Sequence, residues 1–312
     1  MTISLESIVD LLETKGINIS IIGGTKSVKN LAAIAPQVEN ALCYYVGNDP
    51  VTLAGVKNSI MICKPEIKLD TRKNNTLIYT EFPQLCFYLV STLFEMKKNS
   101  GIDNQAIVDQ CAEIGEGVSI GPFCVIEECT IGENVIIDAG VKVFPGTVIG
   151  NNVHIQPNSV IGDSGVIWAW DSAGNKIPCS LTGNVIIEDD VFIGSNVTVV
   201  RGAFENKPTI IGKGTMISHG TMISHGVVIG RSNHFANNVA IAGSVTIGEK
   251  CFFGSGSAVR PHIKLANNII VGAGAIVVKD FYQEGLVLIG NPAREMKTEK
   301  EKVSGVPAPY AS

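Results

Sequence analysis

The sequence predicts a mainly β fold. It is a left-handed parallel β-helix preceded by a small α/β domain and followed by a short C-terminal helix. Three observations carry this reading. From Ile187 an apolar residue recurs every sixth position, through Ile193, Ile211, Ile229 and Ile247 to Val277, and Glu205 is the break in the frame. Upstream the frame runs Ile114, Ile120, Ile126, slips by one residue to Ile131, and continues to Ile161. Gly follows many of these residues, as in Ile120-Gly121 and Ile193-Gly194. A period of six fits neither a helix nor an ordinary half-buried strand. It is the mark of hexapeptide coils, in which each hexad is one short strand and one turn. Three hexads close a triangular coil, so residues 18 apart stack about 4.8 Å from one another. The apolar residue points inward, and the small residue after it lets the chain bend at the corner. The coils are read as left-handed because hexapeptide prisms generally are, an exception to the right-handed crossover rule.

The elements follow in order. Residues 1–97 carry no hexads and read as a small α/β domain. Ser4 or Ser7 caps a helix through Leu12, strands are expected over 17–22, 41–47, 59–63 and 76–80, and Pro83 starts a helix through Lys97 with Leu85, Leu89, Leu93 and Met96 near one face. Residues 98–111 read as a mostly polar connector, and the β-helix is expected over 112–278. An insertion at 162–184 interrupts it and holds both tryptophans, Trp168 and Trp170. A loop of that length inside a regular solenoid is usually functional. The tail, 279–312, contains a charged stretch at 295–302 that reads as the short C-terminal helix, and Pro307 and Pro309 suggest a frayed end.

Composition narrows the function. The 312 residues are 45% hydrophobic and 17% charged, with a net charge of −5, which argues against a nucleic-acid surface. The N-terminus carries acidic residues where a signal peptide needs basic ones. The longest apolar stretch, 85–94, is too short to span a bilayer. Eight cysteines lie scattered without CxxC pairs, the closest being Cys124 and Cys129. They read as reduced core residues, and the localisation expected is cytoplasmic.

All five histidines lie in the hexad-bearing half. The segment GTMISHGTMISHG is a duplicated hexad, so His219 and His225 fall on adjacent faces of one coil. His225 and His262 are 37 residues apart, which places them near one face, two coils or roughly 10 Å apart. His154 and His234 are expected at exposed turns. Neutral imidazole accepts a proton at cellular pH, which suits a general base for an amine nucleophile. For His219 the roles of base, ligand positioning and subunit packing stay open. Three histidines meeting across a trimeric prism would also suit zinc, but no other strong ligand sits in the duplicated hexads, and no metal is expected.

The segments Val199-Val200-Arg201-Gly202-Ala203, Ile223-Ser224-His225-Gly226 and Ile241-Ala242-Gly243-Ser244 resemble the UDP-3-O-acylglucosamine N-acyltransferases of lipid A synthesis, and beyond them the hexapeptide sugar N-acyltransferases. The insertion is similar at Gly174-Asn175-Lys176-Ile177-Pro178. The resemblance implies a homotrimer with active sites between neighbouring prisms. It makes His225 the catalytic base, gives Gly243 a backbone N–H for the thioester carbonyl, and puts His262 in the same cleft as a supporting residue. The sequence departs from that family at Cys43-Tyr44-Tyr45-Val46-Gly47-Asn48-Asp49-Pro50, where Tyr44 or Tyr45 remains to stack on a base, and at His219, where Asn is expected. Its ending, Gly290-Asn291-Pro292-Ala293-Arg294 after Lys279, is similar to coenzyme A-dependent acetyltransferases.

The leading expectation is therefore an N-acyltransferase of bacterial surface polysaccharide synthesis. It would move an acyl group from acyl-CoA to the amine of a nucleotide-linked amino sugar, with Lys279 and Arg294 meeting the coenzyme and Trp168, Trp170 and Glu205 near the substrate. The alternatives are the lipid A N-acyltransferase itself, using an acyl carrier protein, a non-catalytic trimeric scaffold, and a γ-type carbonic anhydrase.

Overall fold

The computed structural model describes residues 2–35, 37–47, 55–67, 74–95 and 100–296. The chain divides into two units, Met1–Lys97 and Lys98–Ser312. In the first, helix α1 spans Leu5–Thr14, and the Ser4 hydroxyl accepts the Ser7 N–H at 3.1 Å. That satisfies one of the amides a helix start leaves orphaned. Ile8 and Leu12, one turn apart, are its buried residues. A five-stranded sheet runs in the order Ser20–Gly23, Thr76–Tyr79, Ile60–Cys63, Ala41–Tyr45, Asn30–Leu31. Its first pairing is antiparallel and the others are parallel. The strand expected over 17–22 begins later, at Ser20.

Helix α2 spans Pro83–Ser91 and ends in a 3-10 turn, Thr92–Phe94. Its buried residues are Pro83, Cys86 and Val90, with Leu89 and Leu93 packed only partly against the same core. The leucine stripe expected from the sequence is thus displaced by one residue, because the smaller Cys86 and Val90 occupy the fully buried positions. Met96 lies outside the described residues, as do 48–50 of the segment that departs from the family.

The second unit is a left-handed parallel β-helix built from three parallel faces, in sheets of eleven, nine and eight strands. Most strands are two residues long, with the second residue buried, as in Met216–Ile217, Met222–Ile223 and Val228–Ile229. The inward residues form one continuous core along the prism. Phe235 and Phe253 stack in it with centroids 4.6 Å apart and planes 7° apart. Each buried side chain of this size contributes about 1.5–3 kcal/mol. The corners need a left-handed residue, and Asn196 (φ 56), Asn238 (φ 57) and Gly220 (φ 70) supply it.

The coil begins earlier than the sequence suggests. Gly101–Ile102 pairs with Ser119–Ile120, and Ile107–Val108 with Val125–Ile126, so of the stretch expected as a connector, residues 100–111 instead contribute the first strands. The one-residue slip in the frame appears as a 17-residue coil, Ile120 pairing with Ile137. The insertion expands one coil so that Ile155 pairs with Ile193. The break at Glu205 is a second, smaller expansion, so that Ile193 pairs with Ile217. Past Val277 the chain makes Val287–Ile289, parallel to Ile270–Val271, and then Arg294–Glu295 antiparallel to it. The expected C-terminal helix therefore does not start at Glu295, and its remainder from 297 on lies outside the described residues. No described helix is long and apolar enough to cross a membrane.

Candidate active site

The three residues expected on one face meet at one corner of three consecutive coils. Ile223 pairs with Ile241 and Ile241 with Val259. That register sets His225 beside Gly243 and Gly243 beside Pro261, with His262 one residue further along. Backbone bonds tie the corner together: Ser244 N–H donates to the His225 carbonyl at 2.9 Å, and His262 N–H to the Gly243 carbonyl at 3.0 Å. His262 itself takes the left-handed corner position with φ 63, as Ser244 does one coil earlier with φ 60.

Gly243 is required by the imidazole of His225. A β-carbon at 243 would lie 2.4 Å from both Cε1 and Nε2 of that ring and 3.0 Å from Nδ1. The ring therefore lies against a bare backbone. Its Nδ1 is buried and has no hydrogen-bond partner among the described residues, so Nε2 is the nitrogen left to meet a ligand. The Gly243 N–H takes no backbone acceptor among the described residues and is free to donate. Burial first, and then the nearby charge of His262, pull the His225 pKa below its ordinary value of 6.5. The ring is neutral at pH 7 and able to accept a proton.

A cavity of about 330 Å³ opens at this corner. One side is His225, Gly243, Pro261 and His262, and the other is Val166, Ile167 and Trp168 from the insertion. The insertion forms a hairpin, Trp168–Trp170 antiparallel to Lys176–Pro178. The Trp168 and Trp170 rings meet edge to face at 4.9 Å, and the Lys176 ammonium sits 4.5 Å from the first ring and 5.4 Å from the second. Arg201 ties down the stem, donating to the carbonyls of Gly162 at 2.8 Å and Pro145 at 2.6 Å. The far stem is held by the Glu205 loop: Thr182 N–H donates to the Ala203 carbonyl at 3.2 Å, and Gly183 N–H to that of Gly202 at 3.1 Å.

Not every expected residue reaches the cavity. His219 is exposed, and its Nδ1 accepts the Ser195 N–H at 2.9 Å. Asn267 and Asp189 do the same elsewhere, for Glu249 and Asn151. His219 is a corner residue. Trp170, Glu205, Lys279 and Arg294 are not among the cavity's lining residues. Lys279 lies over the Phe281 ring at 5.3 Å, and Arg294 pairs with Ile289 in the terminal hairpin. In the first unit, Tyr44 packs on Phe87 at 4.9 Å and Tyr45 joins the opposite core. His154 and His234 lie within strands of one outer face, not at turns. His154 pairs with Asp138 at 3.0 Å, and His234 stacks on Phe252 at 5.2 Å. Sequence reasoning missed Val166, Ile167 and Pro261, which carry no chemical signal of their own. Among the described residues no three His, Cys, Asp or Glu side chains gather as a metal site.

Comparison with known proteins agrees with the repeat geometry. Residues 128–163 match the bacterial transferase hexapeptide (six repeats), and 184–203 and 244–279 match the hexapeptide repeat of succinyl-transferase. The chain carries the repeats of hexapeptide transferases. It is similar to a UDP-3-O-acylglucosamine N-acyltransferase of Polynucleobacter asymbioticus, 35% identical over 36% of this chain and 38% of that one. The aligned stretch thus spans well under half of that relative's length. The same-named protein of Rhizobium meliloti is 29% identical over 72% of this chain and 71% of its own. Among solved structures, the Francisella novicida UDP-N-acetylglucosamine acyltransferase superposes with a TM-score of 0.58 at 25% identity, covering 64% of this chain and 71% of that one. LpxA from Acinetobacter baumannii gives 0.55 at 28% identity, covering 62% and 73%.

Proposed function

We propose that the chain is an N-acyltransferase that moves an acyl group from a thioester to the amine of a nucleotide-linked amino sugar. The observation that carries this reading is the His225 ring lying on Gly243 at the mouth of a cavity. Neutral Nε2 takes the proton of the attacking amine as the C–N bond forms. The Gly243 N–H steadies the oxyanion of the tetrahedral intermediate, a contribution often worth about 3 kcal/mol. The intermediate then collapses, the C–S bond breaks, and the thiolate leaves and takes up a proton. His262 stands in the same cavity as a supporting group.

The names of the relatives favour a UDP-3-O-acylglucosamine acceptor, and with it an acyl carrier protein donor, over the coenzyme A reading of the tail. A homotrimer goes with this proposal. One outer face of the coil carries Ile136, Phe192, Met216 and Phe252 on its outward side, with His154 and His234 between them, a largely apolar row suited to burial between copies.

The test is a donor and acceptor matrix. Purified protein is given acyl carrier protein or coenzyme A thioesters with UDP-3-O-acylglucosamine or UDP-linked amino sugars, and the product is read by mass. An N-acylated sugar formed from the carrier-protein donor is the expected result. No N-acylated product from any pair would overturn the proposal.

A further inference from the structure

One backbone bond recurs at the corners of the prism. The residue after the corner's apex sends its N–H to the carbonyl of the apex one coil before. Gly220 donates in this way to Ser195 at 3.0 Å, Ser232 to Lys213 at 2.8 Å, Asn238 to His219 at 2.9 Å and Ser244 to His225 at 2.9 Å. The residue after His225 departs from the pattern. Arg201 stands one coil before His225, so its carbonyl would be the acceptor for Gly226. The Gly226 N–H donates instead to the Thr209 hydroxyl at 2.9 Å. The cause is the Glu205 loop. Gly202 and Thr209 both donate their N–H to the Asn184 carbonyl at 3.0 Å, so the chain leaves the coil after Gly202 and rejoins it at Thr209. The excursion takes the ordinary acceptor away and brings a fully buried threonine in its place.

This hydroxyl is itself out of step with its counterparts. Thr215 and Thr221 accept from their register partners in the next coil, Asn233 at 3.3 Å and Val239 at 3.2 Å. The register partner of Thr209 is Val227, yet Thr209 takes the N–H of the residue before it. The His225 carbonyl and the Gly226 N–H belong to one planar peptide. That plane is held at both ends, by Ser244 of the coil after and Thr209 of the coil before. An amide enclosed in the fold needs a partner, so without the hydroxyl the plane turns to find one. The ring it carries lies against Gly243 with no room to spare, and a small turn moves it off its seat. We infer that Thr209 is a positioning residue for acyl transfer: its hydroxyl fixes the His225–Gly226 peptide and so aims the imidazole at the cavity. Thr209 touches none of the reacting atoms, and the inference rests on His225 as the base proposed above. It also gives the break at Glu205 a role, since the loop supplies a side-chain acceptor where the other corners use a backbone one.

The test compares Thr209→Val, Thr209→Ser and Thr215→Val in the full chain. Thr215 is a buried threonine whose hydroxyl also makes two bonds, far from the cavity. Kinetics gives kcat and KM separately, and NMR of histidine-labelled protein gives the titration of the His225 ring, identified by its loss in His225→Asn. Misplacing a catalytic group by about 1 Å costs about 10²-fold. Thr209→Val should therefore lower kcat by about 10–10² with KM little changed. The His225 titration should rise towards 6.5 as the ring leaves its buried seat. Thr209→Ser, which keeps the hydroxyl, should restore both. Thr215→Val should lower the melting temperature and leave kcat and the His225 signal as in the parent. If Thr209→Val does not fold, Thr209→Ala carries the same test. A Thr209→Val protein with the parent's kcat and an unmoved His225 signal overturns the inference, and so does a Thr215→Val protein that loses as much kcat. If the parent transfers no acyl group but the His225 titration moves in Thr209→Val, the acyltransferase reading falls and the positioning stands. An active parent with His225 unmoved gives the reverse.

Discussion

The two copies of Met-Ile-Ser-His-Gly, ending at Gly220 and Gly226, are identical in sequence and opposite in outcome. His219 turns back towards the preceding coil, where Gly194 makes room for its ring and the Ser195 N–H is free to donate to it. His225 has no such partner. The residue one coil before it is Arg201, whose N–H already donates to the Asp163 carbonyl at 3.0 Å. The coil after offers the reverse contrast. His219 is followed by Asn237, and His225 by Gly243, which alone leaves space for a ring. One histidine is bound into the scaffold. The other is left with a buried unpartnered Nδ1 and a lowered pKa. A repeat sets where a side chain stands, and its neighbours in adjacent coils decide what it can do.

The largest effect expected from breaking this contrast comes from Gly243→Ala. The added carbon displaces the His225 ring it would meet at 2.4 Å. Acyl transfer should fall by about 10²–10⁴, the scale of losing a general base, with little change in melting temperature. Arg201→Ala removes two charge-assisted bonds that hold the insertion stem. Chemical denaturation should show a loss of about 2 kcal/mol. His219→Ala should cost about 1 kcal/mol of stability. His219→Asn should cost little, because Asn267 performs the same service for Glu249. The smallest effect is in the pH profile. The His225 pKa is depressed, so the neutral base persists as pH falls past 6.5, and the acid limb of kcat/KM should lie below the ordinary histidine value.

The hexad frame made the prism legible, along with both interruptions and the grouping of His225, Gly243 and His262. The first coil was hidden although Ile102 and Val108 keep the frame, because polar residues surround them and Ile102 remains 51% exposed. The separate fates of His219 and His225 were hidden for a different reason. They depend on residues 18 and 24 positions away, at Gly243, Ser195 and Arg201, and no local pattern encodes that. The cavity wall from Val166 to Trp168 was legible only as an insertion with tryptophans, since its placement rests on the hairpin register.

The most direct measurement compares kcat/KM of His225→Asn and His219→Asn in the same acyl-transfer assay, with melting curves as controls. Both variants should fold. His225→Asn should lose about 10²–10⁴ in turnover, and His219→Asn should stay close to the parent. A His225→Asn protein that turns over like the parent, or a His219→Asn protein that loses as much, would contradict the assignment.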